Sequence, residues 1–172
     1  MLLFLTFFAV LHSVFLPTDP DVNELRELLL KGSENKEQAR VLFEKVGNYE
    51  GNDPLLIGYK GAAFALKAKH GANPLNKLKN VKKAQALFAT AVSAAPQNPE
   101  VRFLRYSVEA QTPASLNLSK HLTEDKDLLM QGLKNIPASG FTAYTARIAR
   151  DYLLKYCTCS EQEKEFLNGL KL

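Results

Sequence analysis

The chain has 172 residues, of which 46% are hydrophobic and 23% are charged. This composition is typical of a folded protein, and the eight prolines and nine glycines are too few for a linker or a disordered chain, while the length favours a single domain. The formal net charge is +4, and the basic residues are spread along the chain apart from a denser stretch at 67–83. Because no aromatic stripe or recognition motif accompanies these lysines, we expect a solvated lysine-rich surface and no nucleic-acid partner.

The first sixteen residues, MLLFLTFFAVLHSVFL, contain no charged side chain. A run of this length is typical of the apolar region of a signal peptide and is short for a membrane-spanning helix, which needs about 20 residues. No Lys or Arg precedes the run, so a buried first helix stays an alternative. We predict a signal peptide or membrane anchor at 1–17, a single helical domain at 18–172, and export to the periplasm or cell envelope. Membrane contact is expected only through this N-terminal segment, if it is uncleaved.

From Asp19 onward, apolar residues recur at helical spacing, and no segment alternates apolar and polar residues over the length of a strand. Glycines such as Gly32 end these segments, and prolines such as Pro54 begin them. The segment HGANPLNKLKN at 70–80 is predicted to be an irregular basic connection. We expect an all-α domain with helices at approximately 19–32, 39–46, 54–69, 81–94, 99–108, 119–136, 141–152 and 160–170, the last with a capping box at Ser160 and Glu163.

The clearest internal repeat signal lies in the segment AQALFATAVSAAPQNPE. Its Ala84, Phe88, Ala91 and Pro96 resemble the small, aromatic, small and proline positions in the second helix of a tetratricopeptide repeat. Small residues let two helices approach closely, an aromatic ring fills the groove between them, and proline ends the helix.

The first helix of a tetratricopeptide repeat has large, small and aromatic positions. Upstream in this chain, these positions are resembled by Ile57, Gly61 and Phe64. The two halves are about eleven residues further apart than this family allows, so the sequence predicts an insertion between them. The resemblance covers roughly 20–137 and is strongest over 54–110. It implies a tetratricopeptide-like right-handed stack of about four antiparallel helical hairpins, which would leave a concave groove for binding.

A second resemblance concerns the segments PLLIGYKGAA and PEVRFLRYS. They are similar to uncharacterised secreted helical proteins of Bacteroidetes-type bacteria, which implies export and no particular activity. Together the two resemblances favour a non-enzymatic scaffold or adaptor in the bacterial cell envelope that binds a protein or peptide.

The predicted partner-binding residues are Arg102, Arg105 and Tyr106. On the concave surface of a hairpin stack, the two guanidinium groups could bind a carboxylate or a phosphate. The alternative is that both arginines pair with Glu100 or Glu109, one helical turn away.

Catalytic motifs are missing from the sequence, which has no G-x-S-x-G, no glycine-rich phosphate loop and no H-E-x-x-H. We therefore expect neither an enzyme nor a bound cofactor or metal. The alternative is a metal- or redox-linked protein or enzyme, for which two weak signals exist. Cys157 and Cys159 could be structural thiols, a disulfide, or a metal or redox site. His121 and Asp125 share a helix face, as two metal ligands would, although acidic residues are also favoured in an early helical turn.

Overall fold

The computed structural model describes residues 19–172, which contain nine α-helices, one short 3₁₀ helix and no strand. The prediction of an all-α protein is confirmed for this part of the chain. The signal peptide or anchor predicted at 1–17 lies outside the described residues. The helices are α1 Val22–Gly32, α2 Lys36–Val46, α3 Pro54–His70, α4 Pro74–Ala94, α5 Pro99–Glu109, α6 Leu122–Lys134, α7 Ile136–Ser139, α8 Ala143–Tyr156 and α9 Glu161–Gly169, and the 3₁₀ helix is Ala114–Leu116.

None of the helices between residues 19 and 172 combines the length and the apolar character needed to cross a bilayer.

Side-chain caps define where most of the helices begin. A cap oxygen accepts hydrogen bonds from backbone amides that have no partner within the helix. The capping box predicted at the start of α9 is confirmed, because Ser160 and Glu163 bond to each other's backbone amides. The other caps are Asp21, Asn35, Asp53, Asn73 and Asn98 for α1 to α5, and Thr142 for α8.

Helix α4 begins earlier than the sequence indicated. The prediction of an irregular connection at 70–80 is wrong, since only three residues separate α3 from α4. The Asn73 side chain accepts hydrogen bonds from the amides of Leu75 and Asn76, and Pro74 is the first helical residue. The first turns of α4 contain no buried side chain, and Leu75 is 77% exposed. The predicted insertion is therefore additional helix, which no pattern of buried residues reveals.

Helix α8 buries small or aliphatic side chains, and its tyrosines are at least partly exposed. Tyr144 is 39% exposed. The residues that are completely buried are the small or aliphatic Ala146, Ala149 and Leu153. Small side chains allow α8 to approach its neighbours closely. The tyrosines lie at the edge of this contact, where their hydroxyls reach polar partners.

The helices pack in a regular order. Each of α1 to α5 contacts the helix that follows it in the chain, and α8 contacts α9. A second set of contacts joins α1 to α3, α3 to α5, α5 to α8 and α6 to α8. Connections of three to seven residues join successive helices from α1 to α5, as is usual for antiparallel neighbours, whereas twelve residues separate α5 from α6. These contacts group the helices into four pairs, α1–α2, α3–α4, α5–α6 and α8–α9, whose first members contact one another in the order α1, α3, α5 and α8.

Two large apolar clusters form the core, and they meet at α5. Leu104 of α5 belongs to the cluster of α1 to α4, whereas Tyr106 belongs to the cluster of α6, α8 and α9. Between α3 and α4, Gly61 packs directly on the buried ring of Phe88, where a Cβ atom would lie 2.9 Å from a ring carbon. The close contact between these two helices is therefore provided by glycine and by Ala84, which is completely buried.

The cap of α4 provides a test of its corrected start. We expect Asn73→Ala to lower the free energy of unfolding by about 1 kcal/mol, because two amides lose their side-chain acceptor. Asn76→Ala, at an exposed position in the same turn, is the matched control and should be neutral or slightly stabilising. Urea denaturation measures both variants, and equal effects of the two substitutions would contradict a helix start at Pro74.

Candidate functional site

A shallow cleft with a cavity volume of about 20 Å³ opens between the first helices of the four pairs. Its walls come from α1, α5 and α8, and α3 contributes to its floor. Because a volume of this size holds roughly one water molecule, the cleft offers a contact surface for a partner and not an enclosed ligand pocket. The lining residues are Arg26, Leu29, Leu30, Tyr59, Glu100, Phe103, Leu104, Phe141, Thr145 and Ile148.

The floor of the cleft is a closed polar network between three helices. Arg26 donates from Nε to Oε1 of Glu100 at 2.8 Å and from Nη2 to Oε2 at 2.6 Å. The Tyr59 hydroxyl donates to Oε1 of Glu100 at 2.7 Å. Burial raises the pKa of Tyr59 far above its ordinary value, so the phenol stays protonated and remains a donor. The hydrogen bonds that Arg26 donates to Glu100 raise the pKa of Arg26.

This network satisfies its own members. Both carboxylate oxygens of Glu100 accept hydrogen bonds, and Arg26 Nη1 donates to Asn23 Oδ1 at 2.7 Å. The side chains of Arg26 and Glu100 are only 15% and 12% exposed. Because these charges are already paired, the floor offers little to a charged ligand.

The walls, by contrast, are apolar and incompletely covered. Leu29, Phe103 and Ile148 are half-buried, and Leu30 on the rim is 43% exposed. Leu30 and Ile148 lie outside both large apolar clusters. A ligand that covered these side chains would remove apolar surface from water, which is the main source of affinity in a site of this kind.

A hydrogen bond joins α8 to α1 beside the cleft. The Tyr144 hydroxyl donates to Oε1 of Glu27 at 2.8 Å, between residues 117 positions apart in the chain. The hydrogen bond from Tyr144 lowers the pKa of Glu27. This hydrogen bond therefore links the fourth helix pair to the first.

The predicted partner-binding residues lie away from this cleft, between α5 and α6. Arg102, Arg105 and Tyr106 are 5%, 5% and 4% exposed. Arg105 binds Asp125 with two hydrogen bonds, from Nε at 2.7 Å and from Nη2 at 2.6 Å, and Arg102 Nη1 donates to the same carboxylate at 2.9 Å. Arg102 also pairs with Glu124 and lowers the pKa of that carboxyl group. Whether the three residues contact a partner stays a prediction.

The alternative prediction, that Arg102 and Arg105 pair with glutamates of their own helix, is wrong. Both arginines pair with carboxylates of α6 instead of Glu100 or Glu109. Those two glutamates have other partners, since Glu100 binds Arg26, and Glu109 accepts from the backbone amide of His121 at 2.8 Å. The Nδ1 atom of His121 lies 2.7 Å from Oε1 of Glu109.

The structure also shows the partners of the residues that were considered for a metal or redox site. Both oxygens of Asp125 are occupied by guanidinium groups, and His121 is directed to Glu109. In the described part of the chain, no group of three potential metal-ligating side chains comes together. Of the alternatives left open for the cysteines, the structure has the disulfide between Cys157 and Cys159, whose Cα atoms are 5.2 Å apart.

Sequence reasoning missed the cleft, because its residues come from four distant segments. One signal for it does exist in the run Leu28-Leu29-Leu30, which is too wide to be buried on one face of a surface helix. Leu28 is in the core, Leu29 is half-buried, and Leu30 is exposed on the rim.

Comparisons with protein-family models, with curated proteins and with solved structures give no significant match. The fold and the cleft define the class of protein, which is an all-α protein of packed helix pairs with an apolar cleft between their first helices.

The buried pair between α5 and α6 gives a stability prediction. We expect Asp125→Ala to cost about 3–5 kcal/mol of unfolding free energy, because the buried Arg105 loses the carboxylate that accepts its hydrogen bonds and Arg102 loses one of its two carboxylate partners. Glu124→Ala is the control, since its side chain is 57% exposed and its loss should cost at most about 1 kcal/mol. Chemical denaturation of both variants measures the difference, and similar losses would contradict the dominant role of Asp125.

Proposed function

We propose that the protein is a non-enzymatic scaffold or adaptor of the bacterial cell envelope that holds an apolar segment of a partner protein in the cleft. The observation that carries this proposal is the combination of apolar, uncovered walls with a self-satisfied polar floor. A surface of this kind disfavours charged groups and favours an apolar side chain of a partner that covers its walls.

The order of helix contacts supports a tetratricopeptide-like stack. In such a stack, each hairpin packs on the next, and the first helices of successive hairpins line a concave surface. The contacts of α1 with α3, α3 with α5 and α5 with α8 have this order. The cleft then corresponds to the concave surface, where helical-repeat proteins commonly bind peptides.

Two features support a location in the cell envelope. The apolar segment at 1–16 is typical of export. The disulfide between Cys157 and Cys159 is of the kind that persists in oxidising compartments such as the periplasm.

A photo-crosslinking experiment tests the proposal in cells of the native host. Benzoylphenylalanine is placed at Leu30 on the rim of the cleft, or at Leu116, which is 39% exposed in the connection between α5 and α6. We expect a recurrent adduct from position 30 and none from position 116. Mass spectrometry of the adduct should place the crosslink on an apolar residue of the partner.

Competition with purified protein provides the control. Leu30→Asp should lower affinity for the captured partner by about tenfold or more, since burying a leucine contributes roughly 2 kcal/mol. Leu116→Asp should compete as well as the unchanged chain. An adduct that forms only at position 116, or full competition by Leu30→Asp, contradicts binding in the cleft.

A further inference from the structure

The positive charge of the chain is concentrated in the α3–α4 hairpin. Residues 54–99 contain seven lysines and one histidine, and neither aspartate nor glutamate occurs among them. Because the whole chain has 22 basic and 18 acidic residues, the remainder has 15 basic and 18 acidic residues and is net negative. The hairpin is therefore the source of the excess positive charge.

Six of these lysines lie in the last turn of α3 and the first half of α4. All six are exposed, and they flank the three-residue connection between the two helices. We call this surface the basic tip, and it consists of Lys67, Lys69, Lys77, Lys79, Lys82 and Lys83.

The basic tip has no counter-charge within residues 19–172, because none of its lysines forms an ion pair there. Lys67 lies 3.9 Å above the ring of Phe43, and Lys83 lies 4.4 Å above the ring of Phe64. These contacts hold two ammonium groups against aromatic rings of α2 and α3. Because the hairpin carries these like charges and no acidic residue, an anionic partner would be favoured.

An exposed leucine accompanies the lysines. Leu75, in the first turn of α4, is 77% exposed and is the most exposed large apolar side chain in the part of the chain that the structure describes. Leu78, one turn further on, is half-buried. An apolar side chain surrounded by lysines suits a membrane surface, where the leucine enters the acyl boundary and the ammonium groups meet the lipid phosphates.

We propose that the basic tip is a peripheral membrane contact that binds anionic phospholipid, with Leu75 inserted at the interface. The lysines favour lipid over nucleic acid, because the tip has neither arginine for bidentate contacts nor an exposed aromatic ring for stacking on bases. They also favour lipid over a protein partner, because protein interfaces are depleted in lysine and enriched in arginine and aromatic residues. The proposal is independent of the cleft.

Vesicle co-sedimentation of the full-length chain tests this contact. One set of vesicles is neutral phosphatidylcholine, and in the other about a third of the lipid is phosphatidylglycerol, which provides the negative surface potential. Residues 1–16 contain no charged side chain, so we expect no preference for anionic vesicles from this segment. The readout is the ratio of the two partition coefficients, which we expect to be about tenfold or more and to fall with added salt.

Two matched triple variants distinguish the effect of the basic tip from the effect of the net charge of the chain. Lys77→Gln, Lys79→Gln and Lys82→Gln together should abolish the preference for anionic vesicles. The control replaces three exposed, unpaired lysines elsewhere, Lys36→Gln, Lys120→Gln and Lys171→Gln, and should keep most of it. Leu75→Ser alone should weaken binding to anionic vesicles about fivefold.

Two results would overturn the proposal. One is equal binding of the unchanged chain to neutral and anionic vesicles. The other is an equal loss in both triple variants, which would reflect net charge alone. Binding to a single-stranded oligonucleotide that is lost only in the tip variant, without any vesicle preference, would assign the tip to nucleic acid instead. Circular dichroism of each variant verifies that the helices are intact.

Discussion

Asp125 is completely buried between the guanidinium groups of Arg102 and Arg105, and the position of α5 depends on this contact. A buried carboxylate is tolerated only where its charge is compensated and its oxygens accept hydrogen bonds, and here three guanidinium donors do both. The two arginines are one turn apart on α5, so they fit a single register of α5 against α6. This contact therefore fixes which residues of α5 face the rest of the protein.

The opposite face of α5 is where the cleft lies. With Arg102 and Arg105 directed to α6, Glu100 and Phe103 are directed to α1 and α8. Glu100 then joins Arg26 and Tyr59, which links three first helices through one carboxylate. The apolar clusters on the two sides of α5 also depend on its position, since Leu104 and Val108 belong to one cluster and Phe103 and Tyr106 to the other. The helix thus couples the core, the buried charges and the candidate site.

Local signals in the sequence predict much of the helical structure, because caps and helix starts are interactions between residues close in the chain. Ser160 with Glu163 and Pro54 after Asp53 are examples. The first turns of α4 were missed because a helix exposed on all sides has no apolar stripe to detect. The pairing of Arg105 with Asp125, 20 residues away, could not be read from spacing, which reveals only partners within a turn. The same reason hides the cleft, whose residues meet only after folding.

The position of α5, and with it the cleft, depends most on the coupling between α5 and α6. A double-mutant cycle on Arg105 and Asp125 measures this coupling directly. The unfolding free energies of Arg105→Ala, Asp125→Ala and the double variant give the interaction energy of the pair. We predict a favourable coupling of about 2 kcal/mol or more, as for buried charge pairs with several hydrogen bonds. A coupling within about 0.5 kcal/mol of zero, the range of independent sites, would contradict the central role of this contact.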